Sequence, residues 1–308
     1  MPPRPRDDGL SEVVGFVLLL GVIVIALSLY QVYGVPAVGR ENEIAHMNQV
    51  KDRFVDYKLA LDSLWVNNRN GVLLSTAFDL GTGAPATAGT VFALPILTPA
   101  GSGGTVSVRD GGATLTITAW DGENTTTPIE NLSLGSLSYR SSNNYWVDQT
   151  WTYQMGAVFL SQEGGTTVRV GPSIAVAKRG DDITLNVAPI SLNGSNTIAG
   201  SGPVRVETRM RLSDQPTINE AYEWVNLTIE TDDETIAWAW KRAFDEVRER
   251  AKEENVTSLP EPELPPGSKK VTLTVEPEEN EKVILTVHPA SYTVTYKVTI
   301  HSAASLME

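Results

Sequence analysis

The chain contains no cysteine, which excludes disulfides, thiolate zinc sites, haem thioether links and cysteine nucleophiles at once. Histidine is almost as scarce: His46, His288 and His301 are the whole set, and none falls in an H-E-x-x-H or comparable metal-ligand spacing. No glycine-rich phosphate loop and no G-x-S-x-G elbow occurs. A carboxylate pair of the glycosidase kind cannot be recognised without its pocket, so an anchored hydrolase stays as a third reading, and the expectation is a chain that is not an enzyme and carries no cofactor or metal. Positive charge is also lacking. The formal net charge of −13 and the absence of a basic cluster exclude nucleic acid as a partner, because phosphate recognition needs concentrated Lys and Arg.

What is present begins with one long apolar run. Val13 to Tyr33 reads VVGFVLLLGVIVIALSLYQVY without a charge, and at about 1.5 Å rise per residue such a helix crosses a hydrocarbon core of about 30 Å. Arg4 and Arg6 precede it, as in a secretory signal, but no A-x-A-like cleavage signature follows it; the chain meets Tyr30, Gln31, Tyr33 and Pro36 instead, so the segment is expected to stay attached. Charge counting does not orient it, since Arg4 and Arg6 face Arg40, Lys51 and Arg53 across the run. Gly15 and Gly21 are six apart, so the four-residue dimer spacing is absent.

Past Pro36 and Gly39, Met47, Val50, Phe54, Tyr57, Leu61 and Leu64 recur at steps of three and four, which places them on one face of an amphipathic helix. Its expected use is to lay that seam against the following β region, with a coiled coil between chains second. From 67 to 104 turns and short strands are expected, with Leu73, Leu74 and the stretch from Phe92 to Leu97 as apolar islands. Alternation begins at Thr105: TVSVRDGGATLTITAW has two β-rich arms around Asp110-Gly111-Gly112, a hairpin signal. Further strands are expected over 151–160, 166–170, 173–177, 183–187, 204–212 and 225–230, and three more in VTLTVEP, KVILTVH and SYTVTYKVTIH, returning to one sheet. Short strands at this spacing predict an antiparallel β-sandwich-like domain or a partly open barrel. One helix is inserted at about 232–254: Thr231 to Glu234 has the capping-box arrangement, and Ile236, Trp240, Phe244, Val247 and Ala251 follow at helical spacing. Asp232, Asp233 and Glu234 are read as first-turn acids favoured by the helix dipole, with a metal cluster the weaker alternative.

The run Asp7-Asp8-Gly9-Leu10-Ser11-Glu12-Val13-Val14-Gly15, leading straight into the apolar helix, resembles the class III signal peptide of archaeal type IV pilin-like proteins. Ser11 to Gly15 is close to that family's Ser-x-Val-Ile-Gly pattern. The resemblance covers about the first fifty residues. It implies a leader over 1–9, cleavage by a prepilin peptidase between Gly9 and Leu10, a transmembrane helix over 10–34, an amphipathic stalk helix over 39–66 and a mostly β extracellular region over 67–308. Glu12 would then lie near the start of the mature chain, where acidic residues of pilins take part in assembly; as a plain helix-terminal carboxylate it is favoured by the free N–H groups. Tyr30 to Pro36, followed by Asn42, Glu43 and His46, is also similar to uncharacterised archaeal membrane-anchored proteins with the same leader. The implied partners are membrane lipid, the prepilin peptidase and, in a filament, other pilin-like subunits; the implied location is the cell membrane, N-terminus cytoplasmic and C-terminal part outside, with a structural or adhesive role. A non-polymerising, membrane-anchored binding module is the alternative. Asn124, Asn131, Asn193, Asn226 and Asn255 are N-glycosylation sequons.

Overall fold

The computed structural model describes residues 8–67, 69–82, 97–123, 125–212, 217–278 and 281–298. The expected island at 92–96, the charges Arg4 and Arg6, and His301 lie outside them. The protein is mainly β, preceded by one long N-terminal helix. That helix starts as α1 (Asp8–Leu29), passes through a π-helical turn (Tyr30–Gly34) and continues without interruption as α2 (Val35–Val66). Pro36 does not end it. It lies in the first turn of α2, directly after the π turn, and the chain keeps its direction through both.

The two halves of this helix have opposite environments. The 18-residue window of highest hydropathy is wholly unpacked, and Phe16 and Leu18 are each 66% exposed. The helix is thus long and apolar enough to span a membrane. In α2, Met47, Val50, Phe54, Tyr57 and Leu61 are buried, as their spacing predicts. Phe54 meets the edge of Phe78 at 5.4 Å and stacks on Trp151 at 6.5 Å between ring centroids. The Tyr57 hydroxyl is 2.9 Å from Thr208 Oγ1, and Tyr292 donates to the Leu61 carbonyl at 3.0 Å.

The described strands form four sheets. The first is ordered β1 (Leu73–Asp79), β13 (Pro203–Leu212), β18 (Ala290–Val298), β11 (Ile190–Asn193). The second runs β12 (Asn196–Gly200), β2 (Gly103–Arg109), β5 (Ser136–Ser142), β6 (Thr150–Gln154), β7 (Ala157–Gln162), β8 (Gly165–Val170). The third is β16 (Lys270–Val275), β15 (Trp224–Thr231), β3 (Ala113–Trp120), β4 (Thr125–Ser133), and the fourth β14 (Ile218–Tyr222), β17 (Val283–Val287), β10 (Asp182–Val187), β9 (Ile174–Arg179). Two hydrophobic cores follow. The first and second sheets enclose one together with α2; the third and fourth enclose the other with helix α3 (Glu234–Glu253).

Two devices join the cores. Strand β7 is buried on both faces: Ala157 and Phe159 enter the α3 core, Val158 and Leu160 the α2 core. The second device is a sequence repeat. Residues 182–193 read DITLNVAPISLN and residues 282–293 read KVILTVHPASYT. They lie side by side in parallel, Ile183 against Val283 through Val187 against Val287, then Ile190 against Ala290 through Asn193 against Thr293. Pro189 and Pro289 stand at the same point in each copy. A proline has no N–H for the ladder, so each strand leaves the fourth sheet there and enters the first, carrying Leu185 and Leu285 into one core and Leu192 and Tyr292 into the other.

Several pairings differ from expectation. The arms around Asp110-Gly111-Gly112 do not form a hairpin: β2 pairs with β5 and β12, and β3 with β15 and β4. Gly111 and Gly112 both hold positive φ, 95° and 92°, and turn the chain from one core to the other. The segment 151–160 is two strands, not one, reversed at Met155 and Gly156, whose φ values of 47° and 77° suit a tight two-residue turn. The three closing strands do not share a sheet; β16, β17 and β18 go to the third, fourth and first. Alternation specifies which face of a strand is buried, and leaves the partner to the tertiary fold.

The N-cap of α3 lies two residues beyond the expected one. Asp233 is the N-cap, its carboxylate accepting from Thr235 N at 2.7 Å, while Thr231 donates its hydroxyl to the Asp233 carbonyl. Trp240, Phe244, Val247 and Ala251 are buried, and the Trp240 indole donates to Gln154 Oε1 at 2.9 Å.

Candidate functional site

The residues that the leader resemblance singles out lie at the free end of the helix. Gly9 and Leu10 are in the first turn of α1, and Glu12 is exposed there. The side chains with organised surroundings are instead on α2, along the line where the helix meets the β region.

At the lower end of that line the loop 143–149, between β5 and β6, grips the helix. A Cβ on Gly39 would lie 2.3 Å from the Tyr145 ring, so only glycine lets the ring seat there. The Arg40 guanidinium lies over Trp146 at 4.4 Å from the ring centroid, a cation–π contact. Glu43 is 1% exposed; its two carboxylate oxygens accept from Asn144 N at 2.6 Å and Tyr145 N at 2.8 Å. A buried charge is tolerated because both oxygens are hydrogen-bonded.

One turn further on, His46 borders two adjoining clefts of about 510 and 180 Å³ that share His46, Gln49 and Asp79. Asn42, Thr82 and Gly101 line the larger one. His46 Nε2 is 2.9 Å from the Asp79 carbonyl oxygen. A carbonyl only accepts, so Nε2 donates to it. The other ring nitrogen, Nδ1, is buried with no hydrogen-bond partner among the described residues. The rim is held by Thr82 and Ser102, each donating its backbone N–H to the other's hydroxyl oxygen, at 3.1 and 2.9 Å.

Higher on α2, Lys58 donates to Asp62 at 2.5 Å, and Ser173 donates to the other Asp62 oxygen at 3.0 Å. Lys58 is buried, so this triad ties the helix to the strand junction before β9. Burial also pushes the phenols of Tyr57, Tyr139, Tyr153 and Tyr292 well above the usual tyrosine range.

The remaining sequence candidates are scattered. His288 is exposed, with its carbonyl accepting from the Trp65 indole at 3.0 Å. Among the described residues no group of three or more His, Asp or Glu is placed to hold a metal ion; Asp233 serves as a cap. The sequons separate by environment. Asn226 lies within β15, hydrogen-bonded between β3 and β16, with its Oδ1 buried. Asn193 donates to Ser291 Oγ at 2.7 Å. Asn255 is exposed just past α3 with φ 63°. Asn124 and the Asn131 side chain lie outside the described residues.

Glu43 and His46 were visible in the sequence as part of the anchored-protein resemblance. Tyr145 and Trp146 carried no signal, because their partners on the helix are about a hundred residues away in the chain.

A long apolar helix that continues into the core of a mainly β region defines the class architecturally. A sequence profile for a family of unknown function, DUF7289, matches residues 100–293, and the chain belongs to that family. No curated protein matches it, and no solved structure does.

Proposed function

We propose that the chain is a pilin-like cell-surface protein of the archaeal type its N-terminus resembles, with α1 in the membrane or in a filament core and the β region outside, in a structural or adhesive role. One observation carries the reading: a single helix whose first part is apolar and touches nothing, and whose second part is sealed by an aromatic and aliphatic seam into the α2 core. An unpacked apolar helix needs another apolar environment, lipid or the helices of neighbouring subunits. The β region is sandwich-like in this reading, each core lying between two sheets.

Cleavage between Gly9 and Leu10 by a prepilin peptidase would remove the leader and leave the helix in place. N-terminal sequencing and intact mass of protein from native membranes test this. A mature chain starting at Leu10 supports it; a chain that still starts at Met1 or Pro2 refutes it.

The cleft at His46, lined by the polar residues Asn42, Gln49, Asp79 and Thr82, favours a second reading, an anchored binding module that does not polymerise. The two separate on extraction: a filament subunit sediments as polymer, whereas an anchored module leaves the membrane in detergent as a monomer or small oligomer.

A further inference from the structure

We propose that the loop 143–149 is a second membrane contact, resting against the outer face of the lipid headgroup layer beside the point where the helix leaves the bilayer. The proposal rests on the anchoring reading above and adds to it a fixed orientation of the β region on the membrane.

Its position follows from the helix. Between Glu12 and Arg40 there is no charged residue, so Arg40 is the first side chain after the apolar run that demands water or phosphate. The run ends at Tyr33, and Gly39 and Arg40 lie about 9–10 Å further along the axis at ~1.5 Å per residue. Headgroups extend roughly 5–8 Å beyond the hydrocarbon on each side. Tyr145 sits on Gly39 and Trp146 on Arg40, so both rings stand a few ångströms beyond the nominal edge of that layer, within side-chain reach of it. Tyr and Trp are the residue types enriched there, where an amphipathic ring meets both apolar and wet surroundings. An arginine at this height reaches lipid phosphate while Trp146 covers one guanidinium face.

The loop is also ordered in advance. Asn143 N donates to Asp148 Oδ1 at 2.8 Å, Asn143 Nδ2 to the Val147 carbonyl at 2.9 Å, and Glu43 fixes the next two amides. Val147 is held at the tip, 47% exposed. A contact made by a preformed loop costs no further ordering. Farther along the helix the β region is carried away from the bilayer: Val66 lies about 40 Å from Arg40 at ~1.5 Å per residue.

The absence of cysteine makes the test clean. Val147→Cys, Leu18→Cys and Val66→Cys each give one labelling position, all exposed. The full chain, labelled with an environment-sensitive fluorophore, is reconstituted into phosphatidylcholine–phosphatidylglycerol vesicles carrying a nitroxide either on the headgroup or deep on the acyl chain. Expected is loss of Leu18-label emission with the deep nitroxide, loss of Val147-label emission with the headgroup nitroxide accompanied by a blue shift, and neither for Val66. A quenched Leu18 label with a Val147 label that behaves like Val66 overturns the loop contact and leaves the anchoring reading standing. A Leu18 label that escapes the deep nitroxide overturns the anchoring reading, and the loop contact with it.

Discussion

Replacing Phe54 by alanine tests how the helix is held and whether the two cores act as one. The ring is fully buried, against Phe78 and Trp151. Its removal forfeits the transfer free energy of the side chain and leaves a cavity that neighbouring rings fill poorly, together about 3–5 kcal/mol, including about 0.5–1.5 kcal/mol for each aromatic pair. For a folded region of this size each kcal/mol lowers Tm by roughly 2–4 °C, so a drop on the order of 10 °C is expected by calorimetry of the detergent-solubilised chain. The control is Leu59→Ala on the same helix, 60% exposed, which should change stability by no more than about 0.5 kcal/mol. Because β7 and the paired segments 182–193 and 282–293 contribute to both cores, Phe54→Ala should shift one common transition. Two separated transitions, with the α3 core melting at its original temperature, would refute the coupling; a shift no larger than that of Leu59→Ala would refute the seam.

Three further outcomes are expected. Tyr57, Tyr139, Tyr153 and Tyr292 all have raised phenol pKa values in the folded state through burial, so their contribution is intact below the unfolded value of about 10 and is lost as pH rises above it; the tyrosinate absorbance owed to these four should appear only with loss of the fold, and a still-folded chain in which all nine tyrosines have ionised would contradict their burial. Gly135→Ala would place a Cβ 1.7 Å from the Leu192 carbonyl oxygen, backbone against backbone, and should destabilise by about 2–3 kcal/mol or more, measured as a fall in the denaturant midpoint. If the β region is exported to a glycosylating surface, peptide mass mapping should find glycan at Asn255 and none at Asn226, whose mid-sheet position shields it; a modified Asn226 would contradict the β15 pairing.

Periodicity made some of this structure readable in advance and left the rest closed. The α2 seam at Met47, Val50, Phe54, Tyr57 and Leu61 and the α3 face at Trp240, Phe244 and Val247 follow from helical spacing, because a helix shows its buried stripe within its own sequence. Strand segments such as 183–187 and 204–212 were legible for the same reason, with a period of two. Strand partners were not. Asp110-Gly111-Gly112 has hairpin composition, yet its positive φ angles turn the chain between cores, and no local signal distinguishes the two uses. The site was half legible: Glu43 and His46 stand on a recognisable helix, but what they meet, the Asn144 and Tyr145 amides and the Asp79 carbonyl, comes from β loops whose approach depends on the whole sheet arrangement.

The parallel pairing of 182–193 with 282–293 sets the order in which this chain can fold. Neither core is complete before the second copy has left the ribosome, since Val283, Leu285 and Val287 close one and Tyr292 and Val294 the other. Bringing segments a hundred residues apart into register is a slow, entropically demanding step. During synthesis the first copy therefore waits with an open apolar edge, prone to pair with the wrong strand. A chain interrupted anywhere before residue 283 would lack the strand that links both cores, and damage late in the sequence should be felt as strongly around α2 as around α3.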